Sequence, residues 1–253
     1  VYVNAAHGMI TGINPGNLAG EMVIHADPND WYIHIGKPSA RVGLKLKVFG
    51  LTIENGSYFM MGTKIEEMPL PPEQVLRLLQ LPLPENRNNA ELMSAKGFAF
   101  GTYFHISTGT QKFLIFYGSF EMGIGFDVML SDKEETYCVE TGEKIGINGW
   151  YAEGQCYAFV ESDIGIDIKV FKIKVHQEIL SFGAAILLEA KLPNPIWMRG
   201  TVGGYYSILG GRVKGNCRFQ LELGNQCTVI SMQQQAENPV EGLDAIAEFS
   251  PGD

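Results

Sequence analysis

The sequence predicts an all-β fold: one large, mostly antiparallel, long-stranded sheet or sandwich, interrupted by a single short helical insert at residues 71–96. Three observations carry this. Every second residue from Trp150 to Val170 is apolar or small: Trp150, Ala152, Gly154, Cys156, Ala158, Val160, Ser162, Ile164, Ile166, Ile168 and Val170. The intervening residues are mostly Tyr, Glu, Gln, Asp and Lys, and a period of two marks a strand with one face on a core and the other in water. The same alternation fills most of the chain from Gly97 to Leu223, and only one stretch has the start and stop signals of a helix.

As a single strand Trp150–Val170 spans about 70 Å at roughly 3.3 Å per residue, against a usual length of ~3–10 residues. Either the sheet is unusually long or a turn at Glu161-Ser162-Asp163 divides the stretch. A three-residue loop there pairs Val160 with Ile164 and keeps the apolar parity, so both arrangements fit.

The chain has 253 residues, 45% of them hydrophobic, which is enough for a sizeable core and excludes general disorder. Its 28 acidic residues outnumber 19 basic ones, which argues against a nucleic-acid surface or an anionic membrane surface as partner. Thirty glycines, many inside alternating runs, mark bends, bulges and close backbone approach.

In chain order, Val1–Gly20 is rich in Gly, Asn and Ala and reads as irregular edge structure. Glu21–His25 and Trp31–Ile35 flank the turn formers Asp27-Pro28-Asn29-Asp30. Leu44–Ile53 and Tyr58–Ile65 flank Asn55-Gly56, a strong type I′ hairpin signal that sets Ile53 against Tyr58. That pair also opens an Asn-x-Ser sequon, which a turn explains without a glycan. Pro71-Pro72-Glu73-Gln74 starts a helix through Gln80, with proline and an acid in its first turn. The Leu81–Pro84 stretch stops it. A second short helix is expected from Asn89 to Ala95, capped by Gly97. Phe98, Phe100, Phe104 and Ile106 share one face. Leu114, Phe116, Phe120, Met122, Ile124, Phe126, Val128 and Leu130 share another. Ser131–Thr141 reads as a polar loop and Asn148-Gly149 as a second type I′ turn. Ile179–Leu188 reads as a buried strand, and Leu209–Leu223 alternates strictly as a half-buried one. Residues 1–232 form the β domain, and 233–253 read as a linker toward a following module.

No catalytic, cofactor-binding or metal-binding constellation emerges. Asp27 and Asp30 fall short of the six to eight oxygens Ca²⁺ takes. His25 and His34, facing each other across the Asp27 turn, make at best half a zinc site. The glycines of Gly200–Gly204 and Gly210-Gly211 lack the helix and lysine of a phosphate loop. Asp163 and Asp167, on the wet face with Tyr151 and Tyr157, stand about 13 Å apart in an extended strand, beyond the ~5–9.5 Å of glycosidase carboxylates. Of Cys138, Cys156, Cys217 and Cys227, none forms a C-x-x-C pair. Cys156 reads as a buried free thiol, and the pairing of the others is open.

Gly146–Gln155, Leu192–Gly200, Tyr206–Gly211 and Lys214–Cys217 resemble the TANFOR domain of very large bacterial envelope or surface proteins. Asn238–Leu243 is similar to that family's passage into a following module, and the likeness covers mainly residues 97–253. The resemblance implies an exported multi-module protein and carries no activity or site residues with it. The resulting expectation is a non-catalytic structural or interaction module of the envelope or cell surface, partnered by neighbouring modules. The alternative is a carrier whose β-lined groove takes a lipid or other apolar ligand, with Phe98, Phe116, Phe120, Phe126, Ile164 and Ile166 along it. A carbohydrate-active enzyme using Trp31, Tyr151 and Tyr157 is a third class.

Overall fold

The computed structural model describes residues 2–4, 9–82, 96–133, 136–170, 173–227 and 229–231. In chain order the strands are β1 (Tyr2–Asn4), β2 (Ile10–Gly12), β3 (Leu18–Asp27), β4 (Asp30–Ile35), β5 (Val42–Val48) and β6 (Leu51–Gly62). Helix α1 (Glu73–Leu78) follows, and then β7 (Gly97–Ser107), β8 (Gln111–Phe113), β9 (Phe116–Asp132) and β10 (Thr136–Cys138). The last five are β11 (Trp150–Val170), β12 (Ile173–Leu192), β13 (Trp197–Ile208), β14 (Val213–Gly224) and β15 (Val229–Ser231). Thirteen strands form one antiparallel sheet in the order β1-β3-β4-β6-β7-β9-β11-β12-β13-β14, with β2, β5 and β8 off the path. Strands β10 and β15 make a separate pair. The all-β prediction holds, and among the described residues the one α-helix is that expected at the Pro71-Pro72 start. The expected helix at Asn89–Ala95 and the linker at 233–253 lie outside the described residues.

Trp150–Val170 is one strand. It pairs with β12 from Ala152↔Leu192 to Val170↔Ile173 and with β9 from Trp150↔Asp132 to Ile166↔Phe116. Glu161 sits in register between Glu121 and Gly183, so no turn interrupts it. A bulge at Ile164/Gly165 adds one residue to β12 there, which is why Gln177 rather than Glu178 faces Ile166.

The turn chemistry is right in two places and wrong in one. Asp27↔Asp30 closes the first hairpin, and Asn148-Gly149 turns with both residues at positive φ between the bridged Ile147 and Trp150. Asn55-Gly56, by contrast, lies inside β6, where Ile53 faces Leu46 and Ile106 rather than Tyr58. The hairpin turns six residues earlier at Phe49 (φ 47°) and Gly50 (φ 83°), between the paired Val48 and Leu51. Gly56 is needed for space: a Cβ there would stand 2.6 Å from the Tyr103 ring. The irregular start also contains the short strands β1 and β2, and the polar loop after Ser131 contains β10.

The assignment of faces is the main correction. The apolar side of β11 was expected on the core and the Tyr/Glu/Gln side in water, but Tyr151, Gln155, Tyr157 and Phe159 are buried at 2–7% exposure. On the other side Trp150, Cys156 and Ile164 are exposed. The cause is the covering segment 63–82, which crosses the sheet on the side of the rings. There α1 sets Val75, Leu78 and Leu79 on Tyr157, Phe159, Ala185 and Leu187. Beside it Ile65 and Met68 pack on Tyr58, Met60, Ala99 and Met129. Three hydrogen bonds help fix this cover: Gln155 Nε2 donates to the Pro69 carbonyl (2.9 Å), and the Arg77 guanidinium grips both oxygens of Glu161 (2.9 and 2.6 Å). The two apolar sets of β7 and β9, expected on different faces, lie on the same outer one, since Phe98 faces Leu130 and Phe104 faces Ile124. β12 likewise is not buried but alternates, with Phe182, Ile186 and Leu188 exposed and Ser181, Ala185 and Leu187 buried.

Candidate functional site

The outer face is built from strict alternation in register. One row crosses the middle of the sheet through Phe104, Ile124, Ala158, Ile186, Val202 and Phe219, strand by strand from β7 to β14. Of these Phe104, Ile124, Ile186, Val202 and Phe219 are 36–66% exposed, so a wide patch of large apolar side chains meets the surroundings. Contiguous apolar patches of more than a few hundred Å² are unusual on proteins that work alone in water. Aromatic residues edge the patch on both sides. Trp31 and Trp150 fall at one level, through the register Tyr32↔Gly62↔Gly97↔Ser131↔Tyr151. Phe120, Phe182 and Tyr206 fall at another, aligned with Ser162 of β11.

Small residues notch this face. Gly154 and Ala190 are neighbours on β11 and β12, and Gly200 lies against Leu188. They floor a groove of about 560 Å³ whose walls are Phe126, Val128, Leu188, Met198, Leu221 and Leu223. The free thiol of Cys156 lines it too.

The inner face has the opposite chemistry. Arg41 Nη2 donates to Asp127 Oδ1 at 2.7 Å, with the two side chains 9% and 1% exposed. Gln155 Nε2 donates to the other Asp127 oxygen at 3.0 Å. The guanidinium lies over the rings of Tyr58 and Tyr103, 4.9 and 5.3 Å from their centres. Rings on this side lie across glycines of the next strand: a Cβ at Gly123 would stand 2.4 Å from Phe159, and one at Gly125 2.4 Å from Tyr157. Glycine and aromatic residues therefore interlock, which a bulkier pair would force apart. Beside α1 this leaves a pocket of about 340 Å³ lined by Glu54, Gln74, Tyr103, His105, Tyr157 and Phe159, among others.

The residues weighed in the sequence fall as follows. Asp30 is engaged by Lys64 and Thr63, and it pairs with Asp27 across the hairpin. His25 and His34 do not face each other: His25 is opposite Tyr32 and His34 opposite Val23, and the Tyr32 ring stacks on His25 at 4.9 Å and lies tilted against His34 at 4.6 Å. Asp167 is paired with Lys112, and Asp163 accepts a 3.4 Å hydrogen bond from Ser119. Gly200–Gly204 is strand, whereas Gly210 and Gly211, at φ 66° and 85°, lie in the turn between β13 and β14. Tyr151 and Tyr157 are core residues, so neither is a surface platform for a sugar. Cys138 bonds to Cys227, Cα–Cα 5.4 Å and 89 residues apart, while Cys156 and Cys217 are free and exposed. Cys156 is thus free as expected but not buried. Among the described residues Cys138, Glu140 and Cys227 are the one group with metal-like proximity, and the disulfide occupies it. The Arg41–Asp127 pair and the pocket were not found from sequence, although the aligned spacing of Gly123-x-Gly125 and Tyr157-x-Phe159 was there to be read.

Compared with protein-family models, with curated proteins and with solved structures, the chain matches none. Among the described residues no helix is long and apolar enough to cross a membrane, a statement that does not extend to strands.

Proposed function

We propose that the chain is a non-catalytic structural module of an exported envelope protein, and that its apolar outer face lies against the hydrocarbon of a lipid membrane. The observation that carries the reading is the reversed polarity of the sheet. A buried ion pair, amides and hydroxyls occupy the covered side, and a mainly apolar surface occupies the bare side, crossed on β6 and β7 by Asn55 and by the hydrogen-bonded hydroxyls of Ser57 and Thr102. Lipid-facing sheets have this arrangement, an apolar band about 25 Å tall flanked by aromatic girdles. From Trp150 to Ser162, the two aromatic levels, there are twelve residue steps along β11. At roughly 3.3 Å per residue and a tilt of ~40°, these span about 30 Å along the membrane normal, close to the thickness of a bilayer's hydrocarbon core. The disulfide is in keeping with an oxidising compartment, as is the resemblance to envelope-protein domains.

The test uses the free thiol at Cys156 in a C217S background. A bimane attached there, with the protein in phosphatidylcholine vesicles, is expected to be quenched by brominated acyl chains and shielded from iodide. Quenching by iodide alone would rule the hydrocarbon contact out.

The carrier reading has one observation of its own, the groove over Gly154, Ala190 and Gly200, whose volume suits a single acyl chain. A carrier stays monodisperse in detergent-free buffer with one lipid bound, whereas a membrane wall requires detergent or bilayer. Native mass spectrometry of detergent-free material separates the two.

A further inference from the structure

We infer that the open edge of β14 pairs, antiparallel and about a two-fold axis at Gln220, with β14 of a second copy of this chain. Among the described residues β14 ends the sheet and pairs on one side only, with β13. The other end of the strand order is β1, three residues long, whereas β14 runs for twelve in unbroken register with β13. Short length, proline and a bulge, common devices that blunt a sheet edge, are all missing from it. Along this edge about half of the backbone N–H and C=O groups have no strand beside them. The side chains show the same vacancy: Phe219, Leu221 and Leu223 are 63–66% exposed, against 36–46% for Ile186, Leu188 and Val202 further into the sheet. The inference stands apart from the lipid reading, because an open edge templates pairing in water and is not tolerated in hydrocarbon either.

Charge complementarity within the strand selects the partner and the register. Lys214, Asn216, Arg218, Gln220 and Glu222 take the inner face, and Cys217, Phe219, Leu221 and Leu223 the outer one. A two-fold axis on any one residue of β14 keeps both faces in line, since it sets inner residues against inner ones. Centred on Arg218, the pairing sets Lys214 against Glu222 but opposes Arg218 to itself, a like-charge contact. Centred on Cys217, Phe219 or Leu221, it forms no ion pair within the strand. Centred on Gln220, it sets Arg218 against the copy's Glu222 twice, with Phe219 against Leu221 and Cys217 against Leu223, and no like charges meet. Both charged groups have capacity left. Arg218 donates to Gln80 O (3.4 Å) and Gln220 Oε1 (3.0 Å) from its two terminal nitrogens, two of the five N–H groups a guanidinium has. Glu222 accepts from Trp197 on Oε1, which leaves Oε2. Exposed ion pairs add little affinity. Here they choose the register, and the strand hydrogen bonds and the outer apolar row supply the binding.

The experiment is oxidative cross-linking of the full chain in a C156S/C217S background, kept in whichever detergent or buffer holds it monodisperse, with K214C, R218C, Q220C or E222C added singly. Q220C is expected to give a covalent dimer, because Gln220 meets its own counterpart at about 5 Å. R218C and E222C each stand four residues, about 13 Å, from their own counterparts, beyond the reach of a disulfide, and are expected to give at least about tenfold less. Added to Q220C, R218E brings two carboxylates together at each former ion pair and is expected to cut the dimer yield about tenfold, and R218E/E222R to restore it. A monomer at every protein concentration, a cross-linking maximum at another position, or no recovery in a folded double variant would overturn the inference. Should either charge variant fail to fold, the position of the maximum along the strand decides. Bimane quenching at Cys156 reads the lipid contact separately, so either reading can fail while the other stands.

Discussion

Lysine placed at Val202 tests where the outer face lives. Val202 is 46% exposed, lies opposite Ile186 and Phe219, and sits at the level of Ala158, inside the band, eight residues along β11 from Trp150 and four from Ser162. In hydrocarbon, lysine at the mid-plane of a lipid-facing strand costs about 2–4 kcal/mol, a shift of roughly 30- to 900-fold in the folding equilibrium. In water, the same change at an exposed strand position stays within about 0.5 kcal/mol. Val175 supplies the control. It is also on the outer face and 45% exposed, but it pairs with Ile168, ten residues beyond Ala158 along β11. At roughly 3.3 Å per residue that is about 33 Å along the strand, outside a band of ~25 Å. Reversible urea titrations in phosphatidylcholine vesicles are therefore expected to show a large loss for V202K and almost none for V175K. Equal losses below about 1 kcal/mol would refute the depth argument, and with it the lipid-facing reading.

Other expectations concern the inner face and the covalent tie. Arg41→Leu removes the partner of the Asp127 carboxyl group, which is 1% exposed, so a loss of about 3–5 kcal/mol is expected by chemical denaturation. Gly123→Ala, which puts a Cβ 2.4 Å from Phe159, is expected to lose about 1–3 kcal/mol. Gly118→Ala, with its nearest neighbour at 3.5 Å, is expected to stay within about 0.5 kcal/mol. Maleimide counting by mass spectrometry should find two reactive thiols in the denatured protein before reduction and four after it. Cys138→Ser should lower stability by about 2–5 kcal/mol.

The sheet was legible because alternation depends only on the period of the strand, and β9, β11 and β14 keep that period without a break. Which face is covered was not legible, because alternation says that two faces differ and not which one the rest of the chain will lie on. In β11 the deciding elements are α1 and the segment before it, whose Val75, Leu78 and Leu79 choose the side bearing Tyr157 and Phe159. The misplaced hairpin has a similar origin. Asn55-Gly56 satisfies the local preference for a turn, but Tyr103 on β7 needs the space that Gly56 leaves. The true turn hides a phenylalanine in its first position. The Arg41–Asp127 pair joins residues 86 apart in the chain, and no spacing rule reaches that far. The cysteine pairing escaped for the same reason, since 89 residues separate the two partners.

The bond between Cys138 and Cys227 has a further consequence for the integrity of the sheet. Cys138 precedes β11 and Cys227 follows β14, so four successive strands, β11 to β14, lie inside one covalent ring. A single backbone cut at the exposed turn after Ile208 opens that ring without releasing either piece. The protein can thus be nicked there and still keep every strand tethered, with the hydrogen-bonded register of β13 on β14 ready to re-form. Reduction after nicking would be the step that lets the two halves part.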